Sequence, residues 1–332
     1  MRWLLFAVTL LLVAALSWGF YGWRSLINAS QSVTTPAYVL VEHGDSLATV
    51  ARKLEQVGVI DKSWLFEWFT RFEEADDKIQ AGEYEFEGEV TLSSILLKLT
   101  QGSVVTYDVQ LAEGARLERF LALLTSNEKL VNDLPGVTPA NIVQRLRLPV
   151  TATHGEGLFF PDTYSFRRGE PASSVLRQAF ALMEEKLDDA WASATDNIHV
   201  TSKYELLIVA SMVERESHVA SDRARISGVI HRRLGLDMYL QIDPTVIYAV
   251  GDKFRGRLTW ADLRIDSLYN TYKVKGLPPS PICAPSAESL FAAAQPTAGK
   301  ELYFVSRGDG TSEFSETLQD HNRAVARYIN NR

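Results

Sequence analysis

The chain has 332 residues, 46% hydrophobic and 23% charged, which is ordinary globular usage and argues against a disordered, collagenous or polytopic membrane protein. Lys and Arg number 34 against 41 Asp and Glu, a net charge of −7, so nucleic acid has no global electrostatic footprint to meet. Cys283 is the single cysteine, which excludes an intramolecular disulfide. The first element is apolar: Trp3 to Trp23 carries no charge and is bracketed by Arg2 and Arg24. At ~1.5 Å rise per residue the run spans about 31 Å, the thickness of a hydrocarbon core. Trp3, Tyr21 and Trp23 sit at its ends, where aromatic rings favour the interface. The competing reading is a cleaved signal peptide, whose apolar stretch is shorter, roughly 7–15 residues, and Ala14-Ala15-Leu16-Ser17 is a poor cleavage site for one. Only Met1 and Arg2 precede the run and nothing later resembles a second one. The expectation is a single N-terminal transmembrane helix within residues 1–28, with the remaining chain on one side of the membrane.

Residues 29–36 are rich in Ser and Thr and read as a linker. Tyr38-Val39-Leu40-Val41 is a strand, and His43-Gly44-Asp45-Ser46 a turn in which Asp45 or Ser46 caps the next helix. Leu47, Val50, Ala51 and Leu54 recur there at helical spacing. A second helix, Ser63 to Phe72, carries Trp64, Leu65, Trp68, Phe69 and Phe72. Tyr84 and Phe86 alternate with Glu as on a half-buried strand, and Thr91 to Leu99 makes a helix that Gly102 can end. Gly44-Asp45-Ser46-Leu47 and the helix after it resemble the start of a LysM module, a small βααβ fold that binds N-acetylglucosamine-containing glycans. The resemblance is good over Tyr38 to Leu54 and loose to about residue 100, so residues 37–105 are expected to form either a LysM-like glycan-binding module or a plain α+β spacer. The pattern Val39-x-Val41-x-x-Gly44-x-x-Leu47 returns as Val109-x-Leu111-x-x-Gly114-x-x-Leu117, through duplication or through reuse of one turn chemistry.

Val109 to about Leu148 reads as mainly helical, residues 155–164 as an aromatic loop extended before Pro161, and Ala172 to Ala194 as a long amphipathic helix. The chain has no His-Glu-x-x-His, paired Cys-x-x-Cys, calcium loop, Walker loop or Gly-x-Ser-x-Gly elbow, and its six histidines are scattered, so neither a metal nor a cofactor is expected. Lys203 to Ser217 is a helix made apolar by Leu206, Leu207, Ile208, Val209, Ala210, Met212 and Val213. At about 100° per residue, Glu216 lies on the Val209–Met212–Val213 stripe, Glu214 at its edge, and Ser211 and Arg215 on the polar side. Desolvation and the helix C-terminal dipole both disfavour a carboxylate at Glu216, so it tends to hold a proton, as a general acid must. The competing reading is a helix-end Glu that bends into solvent or pairs with Arg223 or Arg225. Downstream, a helix with Ile226, Val229, Ile230 and Leu234 ends near Gly235. In Gln241-Ile242-Asp243-Pro244-Thr245, Asp243 can be an N-cap with Pro244 as the first helical residue. Ser267 to Tyr272 leads into a rigid loop, Gly276-Leu277-Pro278-Pro279-Ser280-Pro281. The flat faces of Tyr269 and Tyr272 and the amide of Asn270 suit a sugar, and equally suit a packed loop.

Taken together, these segments resemble one family, the endolytic murein transglycosylases or YceG-like proteins. The resemblance covers most of the chain and rests on motifs in order: Glu156-Gly157-Leu158-Phe159-Phe160-Pro161-Asp162-Thr163-Tyr164, Ala210 to Glu216, Leu240 to Tyr248, Tyr269-Asn270-Thr271-Tyr272, Gly276-Leu277-Pro278-Pro279, Leu302-Tyr303-Phe304-Val305 and Asp320-His321-Asn322. It implies an α+β protein whose residues 106–332 form a mixed α/β catalytic domain with the acid at a buried helix end. It assigns the catalytic role to the second Glu of the Glu-x-Glu pair, Glu216. The implied reaction cuts the β-1,4 bond between N-acetylmuramic acid and N-acetylglucosamine within peptidoglycan strands. Glu216 would protonate the glycosidic oxygen and then act as base while the muramic 6-hydroxyl attacks its own C1, leaving a 1,6-anhydro end. Gln241, Asn270 and Tyr272 are expected to orient the sugar or its acetamido group, with Glu214 and Asp243 in substrate-side or structural roles. The implied location is the bacterial inner membrane, single-pass, with the catalytic domain in the periplasm, and the implied partners are glycan strands and penicillin-binding synthases. Two other readings compete: a non-catalytic wall-binding tether that recruits synthases, and a muramidase-type hydrolase with Asp243 as second carboxylate.

Overall fold

The computed structural model describes residues 29–330 except 218, together with residues 10, 14, 17–19 and 22–25. Most of the expected membrane span therefore lies outside the described residues, and among the described ones no helix is long and apolar enough to cross a membrane. The chain forms two compact units, Met1–Tyr107 with Phe166–Gly169, and Asp108–Ser165 with Glu170–Arg332.

In the first unit, β1 (Gln31–Val41) pairs antiparallel with β2 (Gly82–Val90), Val39 opposite Tyr84 and Ala37 opposite Phe86. Between them in sequence come α1 (Leu47–Gln56) and α2 (Ser63–Phe72), and after them α3 (Leu92–Gln101). The order is thus β-α-α-β-α. Val50, Leu54, Phe66, Phe69, Tyr84, Phe86, Ile95 and Leu99 are buried together as its core. Ser46 is the cap of α1, accepting from Thr49 N at 3.2 Å, while Asp45 pairs with Lys53 at 2.6 Å. Gly102, with φ 66°, ends α3 in the left-handed region that glycine enters without steric cost. One expectation is corrected. Most of the 29–36 stretch is strand rather than linker: Gln31 faces Val90 and Val33 is buried. A register irregularity between Val33 and Ala37 keeps the ladder going past Pro36, which has no donor to give it.

In the second unit, the division from the first falls within both strands of the ribbon β3 (Thr106–Gln110) and β4 (Thr163–Arg167). The region expected as mainly helical holds only α4 (Leu117–Thr125) and the short α5 (Ile142–Leu146), joined by turns. Then come α6 (Ala172–Ala192), α7 (Lys203–Glu216), α8 (Ala220–Gly235), α9 (Asp243–Val250) and α10 (Ala287–Ala294). A hairpin, β5 (Tyr303–Ser306) and β6 (Ser312–Ser315), and α11 (Leu318–Val325) follow. The α+β class holds. The mixed α/β layering expected for residues 106–332 does not, because the described strands form separate two-stranded ribbons and packed helices supply the core.

The centre of that core is α7, which packs against α6, α8, α9 and α10. A helix so surrounded must be apolar all round, and Leu206 to Val213 are buried without a break. Ser211, expected on a polar side, is fully buried. Its Oγ donates to Ile208 O (2.7 Å) and accepts from Ile282 N (3.1 Å), so it ties α7 to the loop ahead of α10. Ser202 caps the helix start by accepting from Glu205 N at 3.2 Å. Gly157 has φ 78°, and a Cβ there would lie 2.4 Å from Pro281 Cβ, so the aromatic loop reaches the proline-rich loop only because this residue has no side chain.

Candidate active site

Glu216 is the last residue of α7, and Ser217 turns to extended backbone after it. Its side chain is half-buried, and among the described residues no group hydrogen-bonds or ion-pairs with its carboxyl. Burial, with the charge of Asp243 adding to it, raises its pKa to about 8. The carboxyl is therefore mostly protonated at neutral pH. Neither arginine weighed as its partner pairs with it: Arg223 faces Glu214 and Glu288, and Arg225 faces Glu301.

Two loops bring Asp243 to this place. Gln241 N donates to Thr271 O (3.1 Å), Ile242 N to Thr271 Oγ1 (2.9 Å), and Thr271 Oγ1 bonds Thr245 Oγ1 (2.9 Å). These links set the exposed Asp243, at the start of α9, beside the Tyr272 hydroxyl, which donates to Asp243 Oδ1 at 2.5 Å. Burial raises the Tyr272 pKa, and the hydrogen bond and charge of Asp243 and the charge of Glu216 raise it further. Glu216, Asp243 and Tyr272 thus share one electrostatic neighbourhood. Gln241 adjoins it, with φ 53°, a left-handed conformation that costs a non-glycine residue roughly 1–2 kcal/mol. Its Oε1 accepts from Arg233 Nη1 at 3.3 Å. Arg233 is buried and spends its guanidinium on the carbonyls of Leu302, Tyr239 and Leu240.

The remaining expected residues are placed differently. Asn270 is fully buried: Nδ2 donates to Leu263 O (3.1 Å) and Ile265 O (2.9 Å), and Oδ1 accepts from Tyr272 N (3.1 Å). Its amide is spent on shaping the loop, where it holds the backbone of Tyr272. Glu214 is buried on the other side of α7. Its Oε2 accepts from Ser286 N (3.0 Å) and Ser286 Oγ (2.5 Å), and its Oε1 lies 3.6 Å from Arg223 Nη2. It fastens α7 to α8 and to the cap of α10.

Sequence reasoning passed over Glu156. This carboxyl is buried and held by Leu117 N at 2.8 Å and the Tyr248 hydroxyl at 3.2 Å. Burial raises its pKa to about 7 against the lowering effect of those two donors. Tyr248 stands on α9 with its ring 4.8 Å from that of Tyr269 and 4.8 Å from the Arg116 guanidinium. Its signal was the Glu opening an otherwise apolar run, Gly157 to Pro161. Among the described residues, no group of three or more His, Cys, Asp or Glu side chains is placed to hold a metal ion.

A proton-bearing carboxyl with no partner among the described residues, beside an exposed carboxylate aligned by a phenol, can deliver a proton to a bound leaving group and take one back. The coupling is testable. Asp243→Asn removes the negative charge that helps hold the Glu216 proton, so the alkaline limb of the pH–rate profile should move to lower pH, at a reduced but measurable rate. An unmoved limb would show that Asp243 does not act on Glu216; complete inactivity would make Asp243 a chemical participant.

The chain is similar to known proteins over most of its length. The YceG-like family profile matches residues 39–327. An endolytic murein transglycosylase of Bacillus subtilis strain 168 is 30% identical over 328 residues, covering 94% of this chain and 90% of that one. One from Streptococcus pneumoniae serotype 2 strain D39 is 26% identical over 370 residues, covering 98% of this chain and 66% of that one. The crystal structure of a YceG-like protein from Listeria monocytogenes superposes with a TM-score of 0.56 at 27% identity, covering 88% of this chain and 99% of that one.

Proposed function

Because the chain belongs to the YceG-like family, we propose that it is a membrane-anchored endolytic transglycosylase of peptidoglycan, with Glu216 as its acid and base. The observation that carries this reading is the Glu216 carboxyl, without a partner among the described residues and held protonated at the end of a buried helix. Glu216 protonates the oxygen between N-acetylmuramic acid and N-acetylglucosamine, and positive charge develops on the sugar ring. The exposed Asp243 carboxylate, aligned by Tyr272, steadies that charge. Glu216, now ionised, takes the proton of the muramic 6-hydroxyl as that oxygen closes on C1, giving a 1,6-anhydro end. The nucleophile belongs to the substrate, so a second catalytic carboxylate is not required. Gln241 is exposed; with its carbonyl held by Arg233, its amide nitrogen has no partner among the described residues and can bind an acetamido group.

The β-α-α-β order of the first unit, with the Gly44-Asp45-Ser46-Leu47 turn before α1, supports a LysM-like glycan-binding role for it. The uncharged run Trp3–Trp23 supports a single anchor in the bacterial inner membrane, with the enzyme on the periplasmic side. A short tether confines cutting to wall nearest the membrane, where it would limit nascent strands and meet the synthases that make them. The second reading, a hydrolase, is favoured by one observation, the exposed Asp243 carboxylate within electrostatic reach of Glu216. Digestion of uncrosslinked glycan strands followed by mass spectrometry of the new ends tests the proposal. Anhydro-muramic ends are expected; reducing ends would replace it with the hydrolase, and intact strands with the non-catalytic tether.

A further inference from the structure

Helix α2 buries one face and leaves an aromatic one. Phe66, Phe69 and Thr70 point into the core of the first unit, whereas Trp64, Trp68 and Phe72 are 57%, 65% and 69% exposed. Their i, i+4, i+8 spacing stacks the three rings along one side of the helix. An unbroken aromatic face of this kind marks an interaction surface, and each such ring can bury about 150–250 Å².

What covers the face is indicated by its end. Trp23, the last residue of the uncharged run, packs edge-on against Phe72, with ring centroids 5.9 Å apart, and rests against the core of this unit. The aromatic face of α2 therefore begins where the expected membrane span stops. Tryptophan is a residue that prefers the boundary between lipid tails and water. A sugar-stacking platform would need polar side chains beside the rings to meet hydroxyls. Here the neighbouring Glu67 and Arg71 are spent on each other at 3.5 Å.

We propose that the Trp64–Trp68–Phe72 face of α2 lies in the lipid interface of the membrane. This rests on the anchoring part of the proposed function. Trp64 and Phe72 are about 12 Å apart along the helix axis, whereas the headgroup region on each side of a bilayer is only about 5–8 Å deep. All three rings reach the interface together only if α2 runs near the membrane plane. The first unit then has a second point of attachment beyond the span, and its orientation on the membrane is fixed.

The test uses the full chain reconstituted in phospholipid vesicles. Cys283 is fully buried, so a cysteine placed at an exposed site takes a polarity-sensitive fluorophore selectively. Trp64→Cys, Trp68→Cys and Phe72→Cys labels should shift to the blue and lose most of their emission to lipids brominated near the headgroups. A label at the exposed Glu55 of α1 should do neither. A label at Trp18→Cys separates the two failures. If it is quenched while positions 64, 68 and 72 behave like 55, the anchor stands and this inference is overturned. If Trp18→Cys also stays in water, anchoring fails and the inference fails with it. Labels that ignore lipid but respond to added glycan strands would overturn it in favour of a sugar platform.

Discussion

Glu216→Gln should lower the rate of glycan-strand cleavage by about 10³-fold or more, the scale of a lost general acid that also serves as base. The substitution keeps the shape of the side chain and replaces the titratable carboxyl with an amide that cannot give up a proton. It should not unfold the protein, and its pH dependence can be worked out. The folded pKa of Glu216 is about 8 against 4.5 for the free group, so the folded chain binds this proton more tightly than the unfolded one. Stability of the wild type therefore falls as pH rises from about 4.5 to about 8, as the favoured proton is lost. Glutamine has no proton to lose. The variant should match the wild type near pH 4 and gain on it through that window, with the difference levelling above pH 8. Thermal unfolding of both chains across pH measures this, and the wild-type cleavage rate should fall above about pH 8. A folded Glu216→Gln chain that still cuts would sink the assignment; an inactive variant with the same pH dependence of melting as wild type would show that Glu216 is not desolvated.

Much of this was legible because it depends on local periodicity. The apolar stripe of α7 put Glu216 at the end of a buried helix but left a solvent-facing or Arg-paired side chain open, and the turn before α1 gave its cap to within one residue. What stayed hidden depends on neighbours remote in sequence. Ser211 looked polar-facing because nothing local reveals the Ile282 amide that satisfies it, 71 residues away. Asn270 looked like a sugar ligand because an amide's donors carry no label, and here the loop's own carbonyls consume them. Glu156 looked like the start of a loop because its partners, Leu117 and Tyr248, come from two other elements. The strand at 31–36 hid behind Ser and Thr, which turns and edge strands both accept. Chemistry-bearing residues on one helix can thus be ranked from sequence, whereas fully satisfied and waiting polar groups are told apart only by their partners.

The Glu-x-Glu pair on α7 puts that distinction to its sharpest test. Two residues apart on the same helix, Glu214 and Glu216 face opposite fates: one is hydrogen-bonded and ion-paired, whereas the other has no partner among the described residues. Removing the Glu214 carboxylate leaves Arg223 buried without its nearest counter-charge and strips Ser286 of the acceptor for both its amide and its hydroxyl. Breaking such a buried pair typically costs about 3–5 kcal/mol. At roughly 2–4 °C per kcal/mol for a unit of this size, Glu214→Ala should lower Tm by about 6–20 °C. Glu214→Gln, which retains one acceptor oxygen for Ser286, should cost less. Cleavage per folded molecule should stay within about tenfold of wild type in both, in contrast to the loss at Glu216. Calorimetry and a rate normalised to folded protein separate the outcomes. A Glu214→Ala chain that melts with the wild type yet no longer cuts would move Glu214 from the scaffold into the chemistry, whereas a chain that melts early and still cuts would leave the proton work to Glu216.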